Sequence, residues 1–239
     1  MENFQSHDPI NGFIMYYSCD FPGCKKTRNK PRRNLLSMPS GWFGTFETDE
    51  NGKKIEKHYC IKHYNELRRR KRNMENSIYL NSPDNKYRYA LGTKGENTLY
   101  CFGINPSTAT PEKYDPTIIR VSKTALKMGF DSFVMLNVYP LRATDPGDLP
   151  GVADTGRHLD NIKAIIDVIK DGSTIWAAWG DSIDLRSWLR IALDGIQRSI
   201  QEKKKNIKWV KMGDLTKKGN PRHPLYLKYQ PFSEYIVKK

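Results

Sequence analysis

The sequence has no apolar run long enough to cross a membrane. Its opening, Met1-Glu2-Asn3-Phe4-Gln5-Ser6-His7-Asp8, has neither the basic start nor the apolar stretch of a secretory signal, so a cytoplasmic protein is expected. Cysteine is scarce, with four in 239 residues, which in a reducing compartment argues against a disulfide framework and for metal binding or burial. A Gly-rich phosphate cradle and a nucleophile elbow are both missing, which argues against a nucleoside triphosphatase and an ordinary Ser hydrolase. Acidic side chains are short in number, 26 against 40 basic ones, for a net charge of +14. The excess sits at the ends: residues 1–76 carry +6, 77–200 are neutral and 201–239 carry +8. A neutral centre between basic ends suits a polyanion, because each Lys or Arg laid on a phosphate releases a counterion. Nucleic acid, first of all DNA, is the expected partner, against the alternative that the charge only maintains solubility. Nothing identifies a protein partner.

The length allows one full domain and a small appendage, and the chain reads as two units. In residues 1–76, Cys19-Asp20-Phe21-Pro22-Gly23-Cys24 is answered by Tyr59-Cys60-Ile61-Lys62-His63. Cys19, Cys24, Cys60 and His63 give four ligands for a structural zinc ion in a ribbon-like module, with His58 as a substitute for His63. Four protein ligands leave no open position for catalysis, and the few apolar residues here give a metal staple something to stabilise. The competing reading is a set of unrelated cysteines beside an aromatic cluster. A helix over Asn65–Asn76 carries Arg68-Arg69-Arg70-Lys71-Arg72, suited to a phosphate backbone or simply to solvent.

Residues 77–239 change to an α/β rhythm. Leu99–Ile104, Phe133–Val138, Thr174–Trp179 and Ile207–Met212 read as four strands of a mainly parallel sheet flanked by helices, with Tyr87–Leu91 as a further edge strand or hairpin. One helix starts at Asp115-Pro116 and stops near Met128-Gly129. A second shows Leu159, Ile162, Ile166 and Ile169 on one face, and a third Leu185, Trp188, Leu189, Ala192, Leu193, Ile196 and Ile200. Right-handed crossovers put the four strand-end loops on one rim, where ligands bind open α/β sheets. Those loops hold Asn105-Pro106-Ser107-Thr108, then Asn137 through Arg142, then Trp179-Gly180-Asp181-Ser182, then Arg222-His223-Pro224.

At these loops the chain resembles the uracil-DNA glycosylase superfamily. Gly103-Ile104-Asn105-Pro106 is similar to the G-I-N-P motif of its mismatch-specific branch. Leu136-Asn137, Ala178-Trp179-Gly180 and His223-Pro224-Leu225 are similar to its later strand-end motifs. More closely, N-P-S-T, D-P-T-I-x-R, N-x-x-x-L-R-A-T-D-P, A-W-G and N-P-R-H-P-L resemble a family of uncharacterised bacterial and phage proteins named as a domain of unknown function, over roughly residues 87–235. A phage origin would make the location the host cytoplasm. The resemblance implies a glycosylase-like hydrolase in which Asn105 positions water and His223 donates to the leaving base. Asn137 would read a base edge and Leu225 would enter the stack beside a flipped nucleotide.

The chain departs from that pattern in having no Asp in the first loop and Leu225 in place of the Ser of H-P-S. Ser107, Thr108, Asp115, Arg120, Arg142 and Arg222 join the expected substrate contacts, Arg120 and Arg142 as phosphate ligands. Blander roles stand beside these: a turn at Asn105, a helix cap at Asp115, ion pairs at Arg120 and Arg142. Trp176, Trp188 and Trp209 read as core, Cys101 as a small buried hydrophobe, and Lys203-Lys204-Lys205 as a solvated helix end. A non-catalytic reader of modified nucleic acid and an enzyme acting on free nucleotides remain the alternatives.

Overall fold

The structure, a computed structural model, describes residues 5–8, 12–31 and 42–237. Met1–Phe4, part of the opening read above, lies outside the described residues. The chain divides into two compact units, Met1–Arg72 and Asn73–Lys239.

In the first unit, β1 (Gln5–Asp8), β2 (Gly12–Ser18) and β3 (Thr27–Pro31) form an antiparallel sheet, and β4 (Trp42–Thr48) pairs with β5 (Lys54–Cys60) as a hairpin. Asp49 closes that hairpin by accepting from the backbone N–H groups of Asn51 and Lys53. Helix α1 (Ile61–Glu75) follows β5 without a loop. It starts four residues before the expected Asn65, so His63 sits in its first turn. Of the basic run only the Arg68 side chain is described, 6.0 Å over the Tyr64 ring; those of Arg69, Arg70, Lys71 and Arg72 lie outside the described residues.

The second unit runs β6 (Ser77–Asn81), β7 (Arg88–Thr93), β8 (Thr98–Gly103), α2 (Pro116–Lys127), β9 (Ser132–Asn137), α3 (Thr155–Val168), β10 (Thr174–Ala177), α4 (Ser187–Glu202), β11 (Lys208–Met212) and β12 (Phe232–Glu234). Its sheet has seven strands in the order β12-β11-β10-β8-β9-β7-β6, which corrects the expected four. The four expected strands are the parallel centre. The additions are antiparallel: β12 on β11, β7 on β9 and β6 on β7. Every residue of β8 and β9 is buried, the continuous apolar signature of a strand covered on both faces. At the edges β6 and β12 are mostly half-buried or exposed and carry no such run, so their sequences give no comparable strand signal. The stretch expected at Tyr87–Leu91 is β7, shifted to Arg88–Thr93 and folded as a hairpin with β6.

Numbered along the chain, the four parallel strands lie in the spatial order 2-1-3-4, so the connections reverse direction between β8 and β10. Right-handed crossovers then require helices on opposite faces. Accordingly α2 packs on β8 and β9 in one apolar layer that includes Leu99, Cys101, Ile118, Val121, Met135 and Trp176. Residues of α3 and α4 join the other layer, with Tyr100, Phe102, Leu136, Ile165, Leu193 and Ile196. Trp176 is fully buried and Trp188 and Trp209 pack against the core, as expected. Burial pushes the Cys101 thiol far above its usual range.

Three expectations about side chains need correction. Leu159 is 59 % exposed, because the inward face of α3 falls on Asn161 and Ile165. Leu185 lies between the 3₁₀ turn Gly180–Asp184 and α4, and is 44 % exposed. Lys205 is not a free solvated side chain: its Nζ donates to the carbonyls of Ile166 and Ile169, which cap the end of α3.

Candidate functional site

In the first unit, Cys19, Cys24, Cys60 and His63 bring their ligand atoms within 4.8 Å of one another. Each has a local cause. Gly23, at φ +78, turns the chain so that the Cys24 N–H bonds the Phe21 carbonyl, while the 0-residue join between β5 and α1 sets Cys60 and His63 side by side. His63 Nδ1 lies 3.3 Å from Cys19 Sγ and 3.4 Å from Cys60 Sγ, and its ring stacks on Phe21 at 4.1 Å. A tetrahedron with metal–sulfur bonds of about 2.3 Å has edges of about 3.8 Å, so the cluster has the dimensions of a metal site. The Cys60 N–H also donates to Cys19 Sγ at 3.5 Å, while burial pushes the Cys19 thiol above its usual range. His58, the substitute ligand considered from sequence, instead faces Glu56 at 3.1 Å.

In the second unit, a cleft of about 670 Å³ opens beyond the carboxyl ends of β8, β9 and β10, at the reversal point of the sheet. Asn105, Ser107, Thr108, Asp115, Arg222, His223 and Leu225 all line it. Asn137, Arg120 and Arg142 do not.

Asn105 is half-buried and donates both amide hydrogens, to the carbonyls of Ala143 at 2.8 Å and Pro106 at 3.2 Å. Its Oδ1 is thereby left as the free acceptor of the amide. The Ala143 N–H bonds the Pro106 carbonyl in return, locking the loops after β8 and β9 together. Beneath them, Asn137 ends β9 fully buried, with neither amide atom partnered. A Cβ on Gly103 would stand 2.7 Å from Met135 Cε and 3.2 Å from Asn137 Oδ1, so a larger residue there would press on both side chains.

His223 reaches the cleft because its loop is bolted to the loop after β10. Gly180, at φ +64, donates its N–H to the Pro221 carbonyl, and a Cβ there would come 3.5 Å from His223 Cβ. Asn220 Nδ2 bridges Asp181 at 2.8 Å and Asp184 at 3.0 Å, and Arg190 donates to Asn220 Oδ1. Hydrogen bonds from Thr216 and then Asn220 hold the Asp181 carboxyl below its usual range. Asn220, the first residue of N-P-R-H-P-L, is therefore a bracket. His223 Nδ1 accepts the Leu225 N–H at 3.5 Å, which leaves a proton on Nε2 in the neutral ring. Burial lowers the His223 pKa, with Asp115 opposing.

Asp115 is also the cap of α2, accepting the Ile118 N–H at 2.9 Å. Arg142 lies behind the first loop, donating to the Ser107 carbonyl at 2.6 Å, the Ala109 carbonyl at 3.2 Å and the Tyr79 hydroxyl at 2.5 Å. Arg120 donates to the Leu227 carbonyl and stands 5.5 Å over the Tyr229 ring. Arg222 donates to the Asp214 and Leu215 carbonyls. Arg120 and Arg142 were expected as phosphate ligands and Arg222 as a substrate contact, and carbonyls claim each guanidinium first.

Cleft residues without a sequence signal include Arg88 at the start of β7, Thr216, and Tyr226, which is 86 % exposed next to Leu225. Among the described residues no helix is long and apolar enough to cross a membrane. No curated protein and no solved structure matches the chain. A family model described as "Protein of unknown function (DUF1643)" matches residues 88–225, which run from the cleft's Arg88 to its Leu225 and make up more than half of the chain, and the protein belongs to that family.

Proposed function

We propose that the cleft hydrolyses the N-glycosidic bond of a modified or mismatched base in nucleic acid, DNA before RNA. The observation that carries this reading is that Asn105 and His223, 118 positions apart, border one cavity of about 670 Å³, within the range of small-molecule sites. Cleavage sends the bonding electron pair from the sugar carbon to the departing base. A water held by Asn105 Oδ1 adds to that carbon, losing a proton as the base gains one. A cationic, oxocarbenium-like sugar does not need a strong base, so a neutral amide suffices to place the water. His223 donates from Nε2 to the base as negative charge develops on it. Leu225 with Tyr226 at the mouth would fill the gap left by a flipped nucleotide, while Asn137, buried behind the lining, is left without a contact to the base.

Zinc is the ion assigned to Cys19, Cys24, Cys60 and His63, because three thiolates and an imidazole are a soft, four-coordinate structural set. It would stabilise the first unit, whose basic side chains would add to the hold on a phosphate backbone.

The test is to incubate the protein with oligonucleotides carrying a panel of modified and mismatched bases and to cleave abasic sites with alkali. Strand breaks from one member, reduced at least about 10²-fold by Asn105→Ala, are the expected result. Tight, base-selective binding without breaks would instead mark a reader of modified bases.

A further inference from the structure

Arg88 is the one charged side chain that is buried among the described residues, at 2 % exposed, and it lines the cleft. Its guanidinium makes a single hydrogen bond, from Nη1 to the Ala109 carbonyl at 3.2 Å, and Nε has no partner. Among the described residues no carboxylate oxygen comes within 4.0 Å of it. The acid that acts on it electrostatically is Asp115, whose Oδ1 already accepts the Ile118 N–H. Burial, and next the like charge of Arg142, pull Arg88 down from 12.5 to about 10, so it keeps its charge at neutral pH.

A buried cation with one neutral acceptor is costly to maintain and calls for an anion. The wall beside it can supply the rest of an anion's coordination. Ser107 and Thr108 line the same cleft, and no hydrogen bond occupies either hydroxyl. Arg142 fixes this wall by binding the Ser107 and Ala109 carbonyls, so Arg88 and Arg142 converge on the Ala109 oxygen.

We propose that Arg88, together with the hydroxyls of Ser107 and Thr108, is a binding site for the phosphate group of a nucleotide substrate. A phosphate offers several acceptor oxygens to a guanidinium fork and two hydroxyls at once, which a single carboxylate does less well. The cavity is larger than a phosphate, leaving room for the sugar and base toward Asn105 and His223. The inference deepens the nucleotide reading of this cleft and rests on it for the identity of the phosphate's carrier. The phosphate belongs either to a free nucleotide or to a strand.

The experiment titrates the full-length protein with inorganic phosphate, with deoxynucleoside 5′-monophosphates and with a short oligonucleotide, at constant ionic strength. Heat of binding and the Arg88 Nε–H resonance are followed together. Saturable binding that moves this resonance is expected. Arg88→Lys, which keeps the charge and loses the fork, should weaken it by at least about tenfold, and Ser107→Ala by less. Tighter monophosphate than oligonucleotide binding names a free nucleotide, and the reverse names a strand. If Arg88→Lys does not fold, Ser107→Ala and the wild-type resonance decide. An unmoved resonance, or equal affinities in wild type and folded variants, overturns the site. Because the readout is binding, phosphate held at Arg88 without base release would sink only the hydrolase reading. Base release without phosphate binding would sink only this one.

Discussion

In Asn73–Lys239 two apolar layers close over a seven-stranded sheet, whereas in Met1–Arg72 the described core amounts to Cys19, Trp42, Tyr59 and Cys60, with Phe21, Cys24, Tyr64 and Leu67 against them. Two of the four buried residues in the smaller unit are themselves candidate metal ligands. The larger unit spreads its core over many side chains; among the described residues of the smaller one, the core gathers around four side chains that could hold a metal ion. The units therefore differ in what breaks them, and reagents that act on one should spare the other.

Metal removal gives the largest expected effect. Apparent binding free energies of structural zinc in small modules are about 10–16 kcal/mol and amount to folding free energy. Chelation, or Cys60→Ser, should therefore abolish the structure of β4, β5 and α1 while the resonances of the seven-stranded sheet persist. Two-dimensional NMR with metal analysis of the same sample checks this, and an unchanged first unit in metal-free protein would break the contrast. The converse change is Leu99→Ala in the fully buried β8, expected to cost about 2–5 kcal/mol in urea unfolding of the larger unit and to leave the metal content unchanged.

A smaller effect separates the cap and cleft roles of Asp115. Removing the acceptor of the Ile118 N–H in Asp115→Ala should cost about 0.5–2 kcal/mol. Asp115→Asn keeps a cap and should restore most of that stability, so a defect in nucleotide binding that survives in the Asn variant would belong to the carboxylate.

The smallest effect is with pH. Burial lowers the pKa of both His158 and His223 below the ordinary 6.5, so the folded larger unit binds fewer protons than the unfolded chain as pH falls through that value. Stability contributed by the neutral rings is complete above about pH 6.5 and is lost on acidification toward the folded-state values. Urea midpoints between pH 8 and pH 5 should decline on the acid side, less steeply in His158→Gln. An identical slope in that variant would remove His158 from the explanation.

The central strands were legible because burial on both faces leaves an unbroken apolar run, and α2 because Asp115-Pro116 and Gly129 mark its ends. Loop composition was enough to nominate Asn105 and His223. The fate of a cation was not legible. Arg120 and Arg142 read as phosphate ligands and Arg222 as a substrate contact, yet backbone carbonyls claim all three, while Arg88 begins β7, between β9 and β6, with no local sign of its burial. Each of those outcomes depends on contacts more than 20 residues away or on loop closure, which local periodicity does not encode. Asn220 is similar: its two carboxylate partners lie on the loop after β10, 36 and 39 positions earlier.

The most direct measurement is chromatographic detection of free base released from a panel of modified oligonucleotides and nucleotides by the wild-type protein and by Asn105→Ala and His223→Ala. Release from one substrate by the wild type, lowered at least about 10²-fold in both variants with binding retained, is the expected result. No release from any member, or release unchanged when either side chain is removed, would contradict a shared catalytic cleft.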